Sequence, residues 1–285
     1  MSMALHLPRN TLGGLQLWAD RFVHACWRIQ EHVSDGRCRL LDPDDVIRAE
    51  GDFAACRAAF EGLRPGIVEP PPHLVLLLHG LGRTGHCFAA LRKELVARGY
   101  DACAINYPSL RRPIAAHAAQ LAEILERLEG AAMVSFVTHS LGGIVLRHTL
   151  AMGGGWSQRI ALGRIVMMAP PSKGAAIAAW LKDFPPFRWI AGPCGQELVP
   201  AAMADAPALA GQFGIIAGGR GDGRGYNPFL PGDNDGIVAV EEMKLDGCAA
   251  FTLVPCLHSF LPSHPAAIAA ALAFIERGTF PETTS

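Results

Sequence analysis

A bias of charge is the first thing missing from this sequence. Its 285 residues carry 25 lysines and arginines against 26 aspartates and glutamates, a formal net charge of -1. Without a basic excess there is no electrostatic footprint for nucleic acid or for an anionic membrane. Paired cysteines are missing too. The 8 cysteines (Cys26, Cys38, Cys56, Cys87, Cys103, Cys194, Cys248 and Cys256) are scattered, with no C-x-x-C pair. Several lie inside apolar runs, which fits buried thiols in a reducing compartment better than a disulfide framework. Histidines and cysteines at zinc-ligand spacing are absent. No apolar run reaches the roughly 18 residues that a membrane span needs. The opening MSMALHLPRN lacks the basic segment followed by an apolar one that marks a secretory signal. These absences lead to the expectation of a soluble, cytoplasmic protein with no metal.

Two short patterns imitate known ligand loops without completing them. GGRGDGRGYN (218–227) is rich in glycine, but no Lys-Ser or Lys-Thr follows, so it is expected to be a flexible loop and not a phosphate cradle. DNDG (233–236) echoes the start of a calcium loop, yet no glutamate stands at the required later position.

Apolar residues are plentiful, at 50% against 18% charged, and 285 residues suffice for one large globular domain or one domain plus an extension. No internal repeat is present. The clearest boundary is EPPPH (69–73), whose consecutive prolines forbid regular helix. It separates a helical extension, 1–70, from a main domain, 71–285. Within the extension, Leu15, Trp18, Phe22, Cys26 and Ile29 recur at spacings of three and four, which predicts an amphipathic helix over 12–33. Trp18 and Trp27 would suit contact with a membrane surface. Docking on the main domain is preferred, because the polar face is not strongly basic. A second short helix is predicted from Asp52 to Leu63.

After the prolines the chain alternates. Short apolar runs at 73–80, 101–108, 133–139, 164–170, 214–219 and 250–256 read as buried strands. Helical patterns fill 85–100, 113–130, the stretch after Ser140, and Pro265 to Arg277, with stops at Gly99 and Gly130. This order predicts an α/β fold, a mostly parallel sheet of about six strands with helices on both faces. Residues 171–213 break the rhythm with an aromatic, proline-interrupted segment, too long for a simple connection. It reads as a lid-like insertion over a pocket, with Trp180, Phe184, Phe187 and Trp189 as apolar contacts.

Ligands of open parallel sheets bind at the carboxyl ends of the strands. Three features of this sequence stand at such ends: His79-Gly80-Leu81-Gly82, Thr138-His139-Ser140-Leu141-Gly142-Gly143, and the pair GDNDGIV (232–238) with CLHSF (256–260). A serine hydroxyl becomes a useful nucleophile when an imidazole takes its proton and a carboxylate orients that imidazole. Alone, a serine before a helix is as readily an N-cap.

In these segments the chain from His73 onward resembles α/β-hydrolase-fold serine hydrolases of the bacterial lipase and esterase kind. LLLHGLGRT is similar to the family's oxyanion strand end, THSLGG to its nucleophile elbow, DNDGIV to its acid turn and HSF to its histidine loop. The resemblance implies Ser140 as nucleophile, Asp235 as acid and His258 as base, with the backbone N–H groups of Leu81 and Leu141 as oxyanion hole. Asp222 and Asp233 remain rivals for the acid. Asp235 is favoured over Asp222, which sits among glycines and arginines. His79 is read as shaping the oxyanion loop, His139 as structural and His264 as lying at a helix start. Thr138 departs from the family pattern, since glycine usually stands two positions before the serine. Its methyl and hydroxyl therefore need room in the elbow. The implied activity is hydrolysis of a carboxylic ester with a hydrophobic acyl group, without cofactor. A thioesterase or acyltransferase using the same triad is the nearest alternative, and an inactive binding protein on the same fold is the alternative of another class.

Overall fold

The structure, a computed structural model, describes residues 14–281. The opening decapeptide, Leu12 and Gly13 of the expected first helix, and residues 282–285 lie outside the described residues. So do the side chains of Leu15 and of residues 185–190, Phe187 and Trp189 among them.

The helix expected over 12–33 is absent. In its place Trp18–His24 (β1) and Trp27–His32 (β2) form an antiparallel hairpin, extended by Cys38–Leu41 (β3) and Ile47–Gly51 (β4) into a sheet of order β1-β2-β3-β4. Tertiary packing overrides the helical spacing for two reasons. The strand β1 is buried on both faces: Phe22 enters a small core with Ile29, Leu40, Cys56 and Phe60, while Val23 joins the main core. Such a strand shows no alternation of apolar and polar residues. The hairpin turn, moreover, is made by Ala25 (φ 47°) and Cys26 (φ 60°), both left-handed. Those positions ordinarily hold Asn or Gly, so the sequence carries no turn signal there. The second expected helix is present as Phe53–Leu63 (α1), capped by Asp52, whose carboxylate accepts from Ala55 N–H at 2.7 Å.

Polar contacts tie this first unit to the rest of the chain. The buried Asp20 carboxylate accepts from Gln30 Nε2 (2.7 Å) and from Asn106 N–H (2.6 Å). Arg21 reaches Glu123, and Arg57 and Arg64 share Glu129.

Beyond the prolines the remaining strands are His73–Leu78 (β5), Asp101–Ile105 (β6), Met133–His139 (β7), Ala161–Met168 (β8), Phe213–Gly219 (β9) and Ala250–Pro255 (β10). All pair in parallel, in the order β10-β9-β8-β7-β5-β6. Strand β5, next to the edge strand β6, is a run of buried residues, Leu74 to Leu78. Each such side chain contributes about 2 kcal/mol of burial, which holds β5 in the sheet between β7 and β6. The helices are Ala89–Ala97 (α2), Ile114–Glu126 (α3), Leu141–Met152 (α4), Ala176–Leu181 (α5), Pro185–Glu197 (α6), Pro200–Met203 (α7), Val240–Met243 (α8) and Pro265–Arg277 (α9). Among the described residues, no helix is long and apolar enough to cross a membrane.

The lid-like segment 171–213 is built from α5, α6 and α7. Helix α6 is kinked at Gly192 (φ 63°), ahead of Pro193. A Cβ at Gly192 would lie 2.2 Å from Leu110 O, so the segment passes too close to the loop after β6 for any larger residue.

The sheet register decides what meets at the upper edge. Leu78 pairs with Thr138, and His139 with Met168. The residues following β5 and β7 therefore emerge side by side, with β8, β9 and β10 continuing the row.

Candidate active site

Ser140 joins β7 to α4 with φ 52° and ψ -122°. A non-glycine residue with this backbone is strained, at a cost of order 1–3 kcal/mol, and persists only where its surroundings enforce it. Its N–H donates to Met168 O at 2.9 Å, and Gly143 N–H donates to Ser140 O at 3.0 Å. The Ser140 side chain makes no capping hydrogen bond to α4. The hydroxyl is thus not occupied as an N-cap.

Close approach of backbones enforces the turn. A Cβ at Gly142 would sit 2.3 Å from Leu78 O and 3.0 Å from His79 O, so α4 begins directly against the end of β5. Gly142→Ala is therefore expected to destabilise the fold by about 2–3 kcal/mol, because carbonyl backbone, unlike a side-chain tip, cannot rotate away. The midpoint of urea unfolding measures this, and an unchanged midpoint would contradict the contact. Thr138 fits for a related reason. Its Oγ1 bonds Val166 O at 3.4 Å and lies 3.3 Å from where a Cβ on Gly143 would be. The bareness of Gly143 makes room for the branch that Thr138 adds.

His79, Gly80 and Leu81 follow β5. A Cβ on Gly80 would meet Ser140 Cβ at 3.1 Å, so the two strand ends touch. His79 is fully buried and stacks on Tyr107, with ring centroids 4.1 Å apart. Burial lowers its pKa to about 4, leaving the ring neutral. In the tautomer that fits its neighbours, Nδ1–H donates to Gly80 O (2.9 Å) and Nε2 accepts from Tyr107 N–H (3.4 Å). It thereby shapes the loop, as expected. Gly82 N–H donates to Ser109 Oγ, whereas Leu81 N–H has no acceptor among the described residues. Leu141 N–H, in the first turn of α4, has no acceptor within the helix.

The carboxylate and the imidazole come from the loops that follow β9 and β10. His258 Nδ1 lies 2.5 Å from Asp235 Oδ2, with both side chains buried. Asp235 Oδ1 accepts from Ile237 N–H (3.0 Å) and Val238 N–H (2.8 Å), and His258 N–H donates to Asp235 O (2.9 Å). A Cβ on Gly218 would stand 2.8 Å from Asp235 Cβ, so β9 backs the carboxylate directly.

The rival acids are engaged elsewhere. Asp233 accepts backbone N–H bonds from Arg220, Gly221 and Asn234. Asp222 is exposed, pairs with Arg220 at 2.9 Å and accepts from Arg224 N–H. His264 caps α9, its Nδ1 accepting from Ala266 N–H at 3.3 Å.

Ser140 and His258 open onto one cavity of about 460 Å³. It is lined by Gly80, Leu81 and Gly82, by Ile237 and Val238, and by Ile177, Ala178, Leu181 and Leu198 of the lid-like segment. The expected aromatic contacts are corrected here. Trp180 and Phe184 do not line the cavity and stand 57% and 56% exposed. On α5 Ile177, Ala178 and Leu181 line the cavity, whereas Trp180, beside that face, is turned to solvent. Two polar residues at the cavity, Arg83 and His139, lie within the motif segments without an assigned chemical role. Arg83 brings the one cationic side chain among the described lining residues. His139 is fully buried, its Nε2 3.0 Å from His258 O and its ring centroid 4.7 Å from that of His258. Burial, and then the charge of His258, hold its pKa well below the ordinary histidine value. It packs against the imidazole without adding a charge. Among the described residues no cluster of histidine, cysteine or carboxylate could hold a metal.

Similar architectures are known. The mature lipase of Bacillus licheniformis superposes with a TM-score of 0.57 at 19% identity, over 73% of this chain and 91% of the lipase. A metagenomic carboxyl esterase gives 0.50 at 17% identity, over 67% of this chain and 66% of the esterase. A gene product of Listeria innocua gives 0.50 at 14% identity, over 75% and 96% of the two chains. At such identities the likeness is one of fold. No curated protein matches the sequence. Residues 75–271 match the model of the alpha/beta hydrolase family, a span that takes in the loops after β5, β7, β9 and β10. That match covers well over half of the sequence and runs over the parallel sheet whose strand ends converge on Ser140, and by it the chain belongs to the alpha/beta hydrolase family.

Proposed function

We propose that the protein is a serine hydrolase that cleaves carboxylic esters through an acyl-enzyme on Ser140. The observation that carries this reading is the Asp235–His258 pair at 2.5 Å, whose imidazole opens with Ser140 onto one largely apolar cavity. With Nδ1 held by the carboxylate, His258 keeps Nε2 as its proton acceptor. Ser140 Oγ attacks the ester carbonyl and passes its proton to that nitrogen. The oxyanion is received by the N–H groups of Leu81 and Leu141, and the imidazolium returns the proton to the leaving alcohol. Water, activated by the same imidazole, then releases the acid. Ile177, Leu181, Leu198, Ile237 and Val238 suit an apolar acyl group. In the same reading the chain divides near residue 70 into an N-terminal unit (1–70) and a catalytic domain (71–285), with 171–213 as the cover.

A fluorophosphonate probe, with peptide mapping of the adduct, tests this directly. Labelling is expected at Ser140, together with turnover of p-nitrophenyl esters. A folded protein that leaves Ser140 unlabelled and cleaves no ester in the panel would overturn the reading. Product analysis with added alcohol separates hydrolysis from acyl transfer.

Thr138→Gly is expected to leave turnover of the best ester within about tenfold, since the family's usual residue takes less space. The stability loss is about 1 kcal/mol, from greater freedom of the unfolded chain. Kinetics and thermal unfolding of the variant check both values. A folded variant without activity would give the threonine hydroxyl a role of its own.

A further inference from the structure

Ester hydrolysis at Ser140 gives no task to Arg83, the one cationic residue among the described lining of the cavity. The backbone of Arg83 is pinned on both sides. Its N–H donates to Gly80 O at 3.2 Å, closing the turn after β5, and its carbonyl accepts from Gln16 Nε2 at 3.0 Å. The turn keeps Arg83 near Gly80, whose backbone lies against Ser140. The charge of Arg83 is felt at the elbow as well. Burial is the main cause that holds His79 and His139 below the ordinary histidine pKa, and Arg83 adds to it at both.

No acid answers that charge locally. Among the described residues no carboxylate lies within ion-pair distance of Arg83, and none lines the cavity. Asp235 stands behind His258, its oxygens taken by the imidazole and by the N–H groups of Ile237 and Val238. The Arg83 side chain meets the Cys87 thiol, but burial raises the pKa of that thiol and keeps it neutral. Arg83 Nε is buried without a hydrogen-bond partner. A half-buried guanidinium in this state is costly, and an anion that brings it two oxygens removes the cost. The other lining residues say which part of an ester carries the anion. Ile177, Leu181, Leu198, Ile237 and Val238 are apolar and suit the acyl chain, which leaves the alcohol part for Arg83.

Resting on the ester-hydrolysis reading, we propose that Arg83 holds an anionic group on the alcohol part of the substrate, so that the protein cleaves acyl esters of alcohols bearing a phosphate or a carboxylate. Butyrate release in a pH-stat tests this with two matched pairs. One is 1-butyrylglycerol 3-phosphate beside 1-butyrylglycerol, and the other O-butyrylglycolate beside O-butyrylglycolamide. The acyl group is constant, so the ratio of kcat/KM, anionic over neutral, reads the charge. In Arg83→Gln that ratio is expected to fall by about tenfold or more in at least one pair, chiefly through a higher KM for the anionic ester. The pair that responds distinguishes phosphate from carboxylate. Arg83→Lys keeps the charge but not the paired donors, and should lose less of the ratio than Arg83→Gln. Far-UV circular dichroism checks both variants. Should Arg83→Gln unfold, the wild-type protein decides. Glycerol 3-phosphate or glycolate should then inhibit cleavage of 1-butyrylglycerol at concentrations about tenfold or more below glycerol or glycolamide, and equal inhibition overturns the proposal. An unchanged ratio in both pairs for folded Arg83→Gln overturns it too, whether the rates hold or all fall together. If the wild type cleaves p-nitrophenyl esters but none of these four, this proposal alone falls. Cleavage of no ester at all removes the ester-hydrolysis reading with it.

Discussion

Ser140→Ala is expected to lower ester turnover by about four orders of magnitude or more while leaving the protein folded. The expectation rests on the proposed role of the hydroxyl, and the structure allows a clean separation of chemistry from stability. The elbow is held by backbone contacts, Ser140 N–H to Met168 O and Gly142 against Leu78 O, none of which uses the side chain. Alanine meets the same φ of 52° with the same Cβ and so adds no strain that serine does not already bear. Because the hydroxyl makes no capping bond, the usual loss of about 1 kcal/mol for removing an N-cap does not apply, and unfolding should shift by less than about 0.5 kcal/mol. Steady-state kinetics beside a denaturation curve check both parts. Wild-type activity in Ser140→Ala against every ester that the parent cleaves would remove Ser140 from the mechanism. Loss of activity with loss of fold would point to a structural serine.

The second large effect is expected at the acid. In Asp235→Asn the side-chain oxygen keeps the N–H bonds of Ile237 and Val238, which turns the new amide NH₂ toward His258. His258 Nδ1 must then accept where it previously donated, so its proton moves to Nε2, the nitrogen that has to receive the serine proton. Turnover should fall by about four orders of magnitude, with little change in the fold. Asp233→Asn behaves differently. Its carboxylate accepts three backbone N–H groups, and an amide nitrogen facing one of them costs about 1–3 kcal/mol of stability. Turnover per folded molecule should stay within about tenfold. Asp222→Asn removes an exposed pair with Arg220 and should leave stability and turnover close to wild type. Kinetics and denaturation of the three variants, run in parallel, distinguish these outcomes. A collapse of activity in Asp222→Asn with Asp235→Asn nearly unaffected would move the acid to the glycine-rich loop.

Elements whose signals are local were legible in the sequence. The strand at 133–139 and the helix at 265–277 carry the bounds expected of them, because a short buried run that ends at a turn, or a proline-started helix ending at a glycine, encodes its own limits. The α/β order, and the loops that carry Ser140, Asp235 and His258, were readable for the same reason: the strands are buried runs, and the loops follow them directly. What was not legible depended on contacts between distant segments. The 12–33 stretch has helical spacing, but it pairs as a hairpin because both faces of β1 find partners, α1 on one side and the main domain on the other. Thr138 looked awkward in the elbow until Gly143 supplied its space.

By itself the sequence determined the alternation of strands and helices, the order of the serine, acid and histidine loops, and the lack of charge bias. All of these are written in neighbouring residues. Only the tertiary structure decided which aspartate meets His258, since Asp222, Asp233 and Asp235 are alike in chemistry and differ in the donors that surround them. It also decided which lid residues face the cavity, because that depends on the rotation of α5 about its axis. Finally, it set Arg83 at the cavity of Ser140 with no carboxylate among the described lining residues, because that lining is assembled from the loops after β5, β7, β9 and β10 and from the lid-like segment.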